Sequence, residues 1–121
     1  MLLVCYPFVY RRGREGGKRM NAYFMVRAQV VDPSVKEAFD RWYQDEHLPD
    51  AKKAFGATSA WRGWSDMDPS VHLAVYEFED IAKARAVPGS AAIKPLIAEF
   101  DRVWGKKVVR KSQGRAWRQS R

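Results

Sequence analysis

Apolar and polar residues alternate along three stretches of the chain, a pattern that is typical of half-buried β-strands. The three stretches are residues 22–31 (AYFMVRAQVV), 58–65 (TSAWRGWS) and 71–79 (VHLAVYEFE). One face of the first stretch is uniformly apolar and should pack on helices: Phe24, Val26, Ala28 and Val30. The short link between the second and third stretches predicts an antiparallel hairpin.

Two other stretches repeat apolar residues every three or four positions, as amphipathic helices do. The first predicts a helix from about Val35 to His47, with Asp32 or Ser34 as its N-cap. Pro49 should end or kink this helix, and residues 50–55 form a further helical turn. The second stretch predicts a helix over residues 91–104, whose apolar face is the clearest in the chain: Ile93, Leu96, Ile97, Phe100, Val103 and Trp104.

A short helix over residues 81–86 and a short strand over 107–111 complete the predicted elements. Their order is strand, helix, strand, strand, helix, strand, which is the ferredoxin-like βαββαβ arrangement of the α+β class. Four antiparallel strands would carry helices on one face only. The other face would expose large apolar side chains, and a second copy of the chain related by a twofold axis would cover them.

The composition agrees with one folded domain of 121 residues, because 46% of the residues are hydrophobic and five are tryptophan. The net charge of +8 suggests an acidic partner until it is mapped along the chain. Residues 1–19 hold five basic residues and one acid, and residues 110–121 hold five basic residues and no acid. Residues 20–109 hold 12 basic and 13 acidic residues, so the body is nearly neutral.

The charge map divides the chain into three parts. We expect residues 1–19 to be a poorly ordered basic extension, with Met20 as a candidate natural start, and residues 20–111 to be the folded domain. Residues 112–121 form a basic tail. Basic tails can bind nucleic acid or an anionic membrane surface, but they are more often solvated ends. We therefore expect neither nucleic acid nor membrane as a partner.

Cys5 is the only cysteine, so no intrachain disulfide can form and no cysteine metal site exists. The apolar run of residues 1–10 precedes the arginines, whereas a secretory signal has its charge first. The run is also about half the ~20 residues that a membrane span requires. These features indicate a cytoplasmic protein.

The segment from Phe39 to Asp50 (FDRWYQDEHLPD) carries the main candidate chemistry. His47 is the candidate general base, since histidine has an unperturbed pKa near ~6.5 and exchanges protons at neutral pH. Glu46 is the candidate that would orient the imidazole, and Trp42 and Tyr43 would contact a substrate. The alternative is that His47 only sets the helix break and that the carboxylates are solvated.

Further candidates for substrate contact come from the strands, where register decides which of them face a cleft. They are Tyr23, Arg27, Trp61, Trp64, His72 and Tyr76. Arg27 needs a partner inside a sheet, which is either a carboxylate or enolate ligand or an acid such as Glu77. Tryptophans in such positions are more often core or dimer-interface residues than platforms for a ligand.

Other chemistries find no pattern in the sequence. The two histidines lie on separate elements, which is poor spacing for a metal site. Gly13, Gly16 and Gly17 lie in the basic extension and form no phosphate loop between a strand and a helix. No Gly-x-Ser-x-Gly nucleophile motif is present. We expect neither a metal nor a cofactor.

Over about residues 20–111 the chain resembles the dimeric α/β-barrel superfamily, in particular its small EthD-like or uncharacterised members. The resemblance rests on the element order and on the segment from Phe39 to Asp50, which is similar to a W-Y/W-x-x-x-H-x-P motif that ends the first helix. It implies a homodimer in which two four-stranded sheets form a barrel, with a cleft between sheet and helices in each subunit. The motif histidine corresponds to His47, and the aromatics before it to Trp42 and Tyr43.

This superfamily includes cofactor-free monooxygenases, lactone isomerases, polyketide cyclases, haem peroxidases and members without known activity, so the resemblance selects no chemistry. No haem-binding signature maps onto the chain. We expect a cofactor-independent enzyme that transfers a proton on a small cyclic, aromatic or polyketide-like substrate, as an isomerase, cyclase or monooxygenase does. The alternative is a non-catalytic module for small-ligand binding or assembly.

Overall fold

The computed structural model describes residues 22–110 in full and the backbone of residues 4–5, 8–11, 20–21 and 117–118. The strands, in chain order, are β1 (Val4–Cys5), β2 (Phe8–Arg11), β3 (Met20–Val30), β4 (Ser59–Trp64), β5 (Val71–Phe78), β6 (Val108–Arg110) and β7 (Trp117–Arg118). β3 to β6 form an antiparallel sheet in the order β4-β5-β3-β6. The α+β class and the four-stranded antiparallel sheet are therefore confirmed.

The helical segments of the described chain occupy one side of this sheet. They are a 3-10 turn (Pro33–Val35), α1 (Lys36–Trp42), a π-helical turn (Tyr43–His47), α2 (Leu48–Phe55), α3 (Ile81–Ala86), α4 (Ile93–Trp104) and a second 3-10 turn (Gly105–Lys107). Of the two candidate N-caps, Asp32 is the one used, since its carboxylate accepts the backbone N–H of Ser34. The element order agrees with the predicted βαββαβ arrangement.

The predicted alternation of the strands is confirmed. In β3 the side chains of Phe24 and of the other even-numbered residues from 22 to 30 are buried against the helices, in one core with Phe39 of α1 and Phe100 of α4. The pairing of Phe24 with Tyr76, and of Tyr76 with Ala60, extends this helix side across β5 and β4. The odd-numbered residues of these strands lie on the opposite side, which we call the open face.

The helix after Pro33 does not end near His47 but continues through Pro49 to Phe55, with a π-helical turn (Tyr43–His47) at the position where an end or a kink was predicted. The backbone N–H of Leu48 donates to the carbonyl of Tyr43, five residues back, which makes the turn wider than an α-helical one. Pro49 has no N–H, and in an α-helix its ring would clash with the carbonyl four residues earlier. The wide turn accommodates the proline, and the helix ends at Gly56, where φ is 70° and therefore left-handed.

The terminal parts of the chain are described only in short backbone segments. β1 and β2 pair antiparallel with β3, and β7 pairs parallel with β2. The predicted disorder of residues 1–19, the candidate start at Met20 and the basic tail of residues 112–121 concern residues that lie mostly outside the described part. These remain predictions.

Candidate functional site

The sheet separates the predicted site residues into two groups. Six lie on the helix side: Trp42, Tyr43, His47, Trp64, His72 and Tyr76. Three lie on the open face: Tyr23, Arg27 and Trp61. Glu46 belongs to neither group because its side chain is exposed. A single cleft that contains all the predicted residues is therefore not formed.

His47 is held between aromatic rings at the end of the π-helical turn. Its ring is 8% exposed and stacks on Trp42, with centroids 4.6 Å apart and planes at 20°. The edge-on rings of Tyr43 and Phe100 lie 4.8 and 5.7 Å away, centroid to centroid. No hydrogen bond to either ring nitrogen is formed by residues 22–110, so the surroundings fix the ring but leave its nitrogens to another ligand or to water.

Burial, followed by the positive charge of Arg110, lowers the pKa of His47 to about 4, against an opposing effect of Glu99. The imidazole is therefore unprotonated at neutral pH and has a lone pair that can accept a proton. The same surroundings make its conjugate acid strong, so a proton taken up there would be passed on readily.

A small cavity lies beside His47, between the sheet and the helices. Its volume is about 20 Å³, which is room for about one water molecule. Four of its lining residues carry polar groups: Tyr43, His47, Tyr76 and Arg110. The others are apolar: Val26, Phe55, Ile93, Leu96, Ile97 and Phe100. A few polar groups in an apolar wall are typical of small-molecule sites, although such sites are usually larger.

The two tyrosines of the cavity are joined to each other. Burial raises the pKa of Tyr76 well above its usual value, and the neighbouring Tyr43, which is hydrogen bonded to it, raises it further. Both phenols come from elements that the sequence identified separately, the first helix and the third strand of the domain. The hydrogen bond between them uses one of the two hydroxyl protons, so at most one hydroxyl group of the pair can donate to an oxygen that develops negative charge.

Arg110 is the polar residue of the cavity that the sequence analysis did not identify. Its side chain is 3% exposed, and its Nη2 lies 2.5 Å from a carboxylate oxygen of Asp101. The guanidinium also stacks over Phe100, 4.6 Å from the ring centroid. The alternation of β6 could have indicated its position, because Val108 and Arg110 share the helix side.

A second polar cluster lies near the edge of the sheet and surrounds Arg62, which the sequence analysis also missed. The guanidinium forms an ion pair with Asp40, donates from Nη1 to Gln44 at 2.9 Å and donates from Nε to Nε2 of His72 at 3.1 Å. Trp64 Nε1 also donates to Asp40, at 2.8 Å. The Trp64 hydrogen bond lowers the pKa of Asp40, and Arg62 adds to this effect.

His72 connects this cluster to the cavity wall but does not line the cavity. It is fully buried, and its pKa is lowered to about 3 by burial and then by the charge of Arg62. Because Nε2 accepts a hydrogen bond, the proton of the neutral ring is on Nδ1, which has no hydrogen-bond partner in the described chain. Its ring centroid is 4.4 Å from that of Tyr43, so His72 packs against a residue of the cavity.

Glu46 does not reach His47. The two residues are neighbours in sequence, and neighbouring helical side chains point in directions about 100° apart. Since His47 faces the core, Glu46 faces solvent, as Asp50 does. The orienting role that the sequence suggested for these carboxylates is not supported by their position.

The open face holds the remaining candidates. Tyr23 donates to a carboxylate oxygen of Glu77 at 3.4 Å and packs edge-on against Trp61, whose side chain is 46% exposed. Arg27 is half-buried and forms no ion pair within the described residues, so the suggested pair with Glu77 is not formed. Its charge contributes to lowering the pKa of Asp68, after the hydrogen bonds of Ser70.

Two further features, a metal-binding cluster and a membrane-spanning helix, are absent from the described residues. No group of three or more acidic or histidine side chains is placed to hold a metal ion. No described helix combines the length and the apolar character needed to cross a membrane. Comparison with protein-family models, curated proteins and solved structures gave no match for this chain.

Proposed function

We propose that this chain is a homodimeric, cofactor-independent enzyme of the dimeric α/β-barrel type, which transfers a proton on a small cyclic or aromatic substrate. The observation that carries this proposal is a cavity with a largely apolar wall that is lined by an unprotonated His47 together with Tyr43, Tyr76 and Arg110. These groups supply the two components of such a reaction, a base and donors for the resulting oxyanion.

The chemistry would begin with removal of a proton by His47, either from a carbon next to a carbonyl group or from a phenol. The electron pair moves to the substrate oxygen, and Tyr43, Tyr76 or Arg110 stabilises the enolate or phenolate. In an isomerase or cyclase, the proton returns from His47 to another atom of the substrate. A monooxygenase-type reaction would begin in the same way and needs O₂ as a co-substrate.

A cyclic substrate does not fit into about 20 Å³, so binding must displace part of the wall. The best candidates for displacement are Leu96 and Ile97 of α4 and Phe55 of α2, because their side chains line the cavity and are only half-buried. The small volume favours a second candidate function, a non-catalytic module in which His47 is part of the packed core.

Deuterium exchange distinguishes the two functions without knowledge of the natural substrate. Cyclic ketones and lactones would be incubated with the protein in D₂O, and loss of the proton next to the carbonyl group followed by NMR. General base catalysis contributes about 100-fold or more, so His47→Gln should lose at least that factor. Asp45→Asn, which alters an exposed residue of the same turn, is the control and should exchange at the wild-type rate.

Two outcomes would contradict the catalytic proposal. One is an exchange rate with His47→Gln that equals that of the wild type. The other is the absence of catalysed exchange with every compound tested, which would favour the non-catalytic module. The circular dichroism spectrum of each variant shows whether it folds.

The dimer is proposed from the open face. Arg27, Trp61 and Leu73, which are partly exposed, line a depression there together with Val71 and Val75, which are only 8% and 9% exposed, and all described helices pack on the other side. A second copy would cover the part of this mixed apolar surface that is still exposed, as the resemblance to dimeric α/β barrels implies.

Sedimentation velocity tests the dimer directly. We expect the wild type to sediment as a dimer at micromolar concentration, and Leu73→Asp to sediment as a monomer because it places a charge in the centre of the open face. Met67→Asp is the control, since Met67 is 89% exposed in the turn between β4 and β5. A monomeric wild type, or a Leu73→Asp variant that remains dimeric, would contradict the proposed interface.

A further inference from the structure

We propose that the cavity beside His47 selects ligands that carry a carboxylate, and that Arg110 binds this carboxylate. This inference names the substrate class for the site described above and rests on the proposal that the cavity binds a ligand. It concerns binding alone, so it can be tested before any reaction is known.

The charges around the cavity favour an anion. The guanidinium of Arg110 is almost completely removed from water, whereas the side chain of its partner Asp101 is 41% exposed. Water screens an exposed charge more effectively than a buried one, so at the cavity the charge of the Asp101 carboxylate is screened more than the charge of the guanidinium. Among the charged residues of the described chain, Arg110 lowers the pKa of His47 and Glu99 raises it.

The shape and donors of Arg110 suit a carboxylate. A guanidinium has five N–H donors in one plane, and Asp101 accepts from Nη2. The central carbon of the guanidinium lies 4.6 Å from the centroid of the Phe100 ring, which lines the same cavity. Tyr43 and Tyr76 also line the cavity, and one hydroxyl group of this hydrogen-bonded pair could donate to an oxygen of a ligand.

The apolar part of the cavity wall indicates the chemical character of the rest of the ligand. It consists of aliphatic and aromatic side chains from β3, α2 and α4, which would contact a hydrocarbon ring. A small aromatic or alicyclic monocarboxylate therefore matches the chemistry of the cavity. Such a ligand would also neutralise Arg110 and raise the pKa of His47, since an opposite charge nearby typically shifts a pKa by about 1 unit or more.

The experiment compares benzoate with benzyl alcohol, which has a similar size and no charge. Both would be titrated into the full-length protein while NMR follows the imidazole signals of His47. We expect benzoate to bind at least 10-fold more tightly and to raise the pKa of His47 by about 1 unit, and benzyl alcohol to leave that pKa unchanged. Arg110→Gln should abolish the preference, and Arg110→Lys should retain part of it.

Arg110→Gln leaves Asp101 without its buried partner and could unfold the protein, so the double variant Arg110→Gln/Asp101→Asn removes both charges and serves as the second test. Equal binding of the two compounds to the wild type, or a preference for benzoate that survives in a folded Arg110→Gln variant, would overturn the inference. If benzoate binds as expected but His47→Gln retains deuterium exchange, the catalytic proposal fails and the anion preference stands.

Discussion

Acidification from pH 7 to pH 5 should destabilise this protein strongly, because both of its histidines are buried as neutral rings. The pKa is about 4 for His47 and about 3 for His72 in the folded chain, against an ordinary value of 6.5. The unfolded chain therefore takes up protons first as the pH falls. The stability that these neutral rings contribute is complete above about pH 6.5 and is lost progressively towards pH 4 and 3.

The size of the effect follows from the two shifts. Within the window between the unfolded and folded pKa values, each pH unit changes the free energy of unfolding by about 1.4 kcal/mol per group. At pH 5 this amounts to about 2 kcal/mol for each histidine, or about 4 kcal/mol for both. That is a large part of the roughly 5–15 kcal/mol by which domains are stable.

Urea unfolding followed by tryptophan fluorescence measures this loss of stability. The protein concentration is held constant, because the apparent stability of the proposed dimer would depend on it. His47→Gln removes one of the two titrating rings, so the change between pH 7 and pH 5 should fall to about half of the wild-type change. Comparison of each protein with itself removes the effect of the substitution at pH 7. A wild-type change below about 1 kcal/mol, or an equal change in the variant, would refute the burial of neutral histidines.

Three substitutions and one control substitution test the packing and local geometry, and urea unfolding measures each of them. Phe39→Ala should destabilise by about 3–5 kcal/mol, since the ring is fully buried at the centre of the core; a loss below 1 kcal/mol would contradict this position. Asp80→Ala should lower the free energy of unfolding by about 1 kcal/mol, because the carboxylate of Asp80 caps the helix by accepting the backbone N–H of Lys83. An unchanged free energy of unfolding would contradict this cap. Gly56→Ala should lower the free energy of unfolding by about 1 kcal/mol, because φ is +70° at this position. Gly89→Ala is the control and should have no effect, since an added Cβ has free space at both positions but φ is not positive at Gly89. Equal effects of the two substitutions would rule out the explanation from the backbone conformation.

Periodicity predicted most of the fold because it depends on neighbours along the chain. The face of Phe24, the hairpin of β4 and β5, and the apolar face of α4 follow from spacings of two, three and four residues. The path of the helix through Pro49 could not be predicted in the same way. Proline disfavours an α-helical neighbour, but a π-helical turn satisfies the same restriction and keeps the helix intact.

The sequence predicted only part of the candidate site, because the site also depends on contacts between residues that are distant along the chain. His47, Tyr43 and Tyr76 were identified as residue types suited to a site, and the structure brings them together at one cavity. Arg62 and Arg110 were missed because their acidic partners lie 22 and 9 residues away, on other elements. The count of charges also grouped Arg110 with the basic C-terminal residues, whereas its side chain is buried on the helix side of β6.

The sequence also placed residues of both sheet faces in one site. Tyr23, Arg27 and Trp61 have the same chemical character as the residues of the cavity, and only the strand register distinguishes them. The pairing of Arg27 with Leu73 puts Arg27 on the open face. A shift of one residue would have moved it to the helix side.

We propose that ligands bind at the interior cavity beside His47 and not on the open face. Methyl NMR of the full-length protein during titration with benzoate distinguishes the two locations, because both surfaces carry methyl groups. We expect shifts at Ile93, Leu96 and Ile97. Shifts confined to Leu73 and Val75 of the open face, with those three signals unchanged, would contradict it.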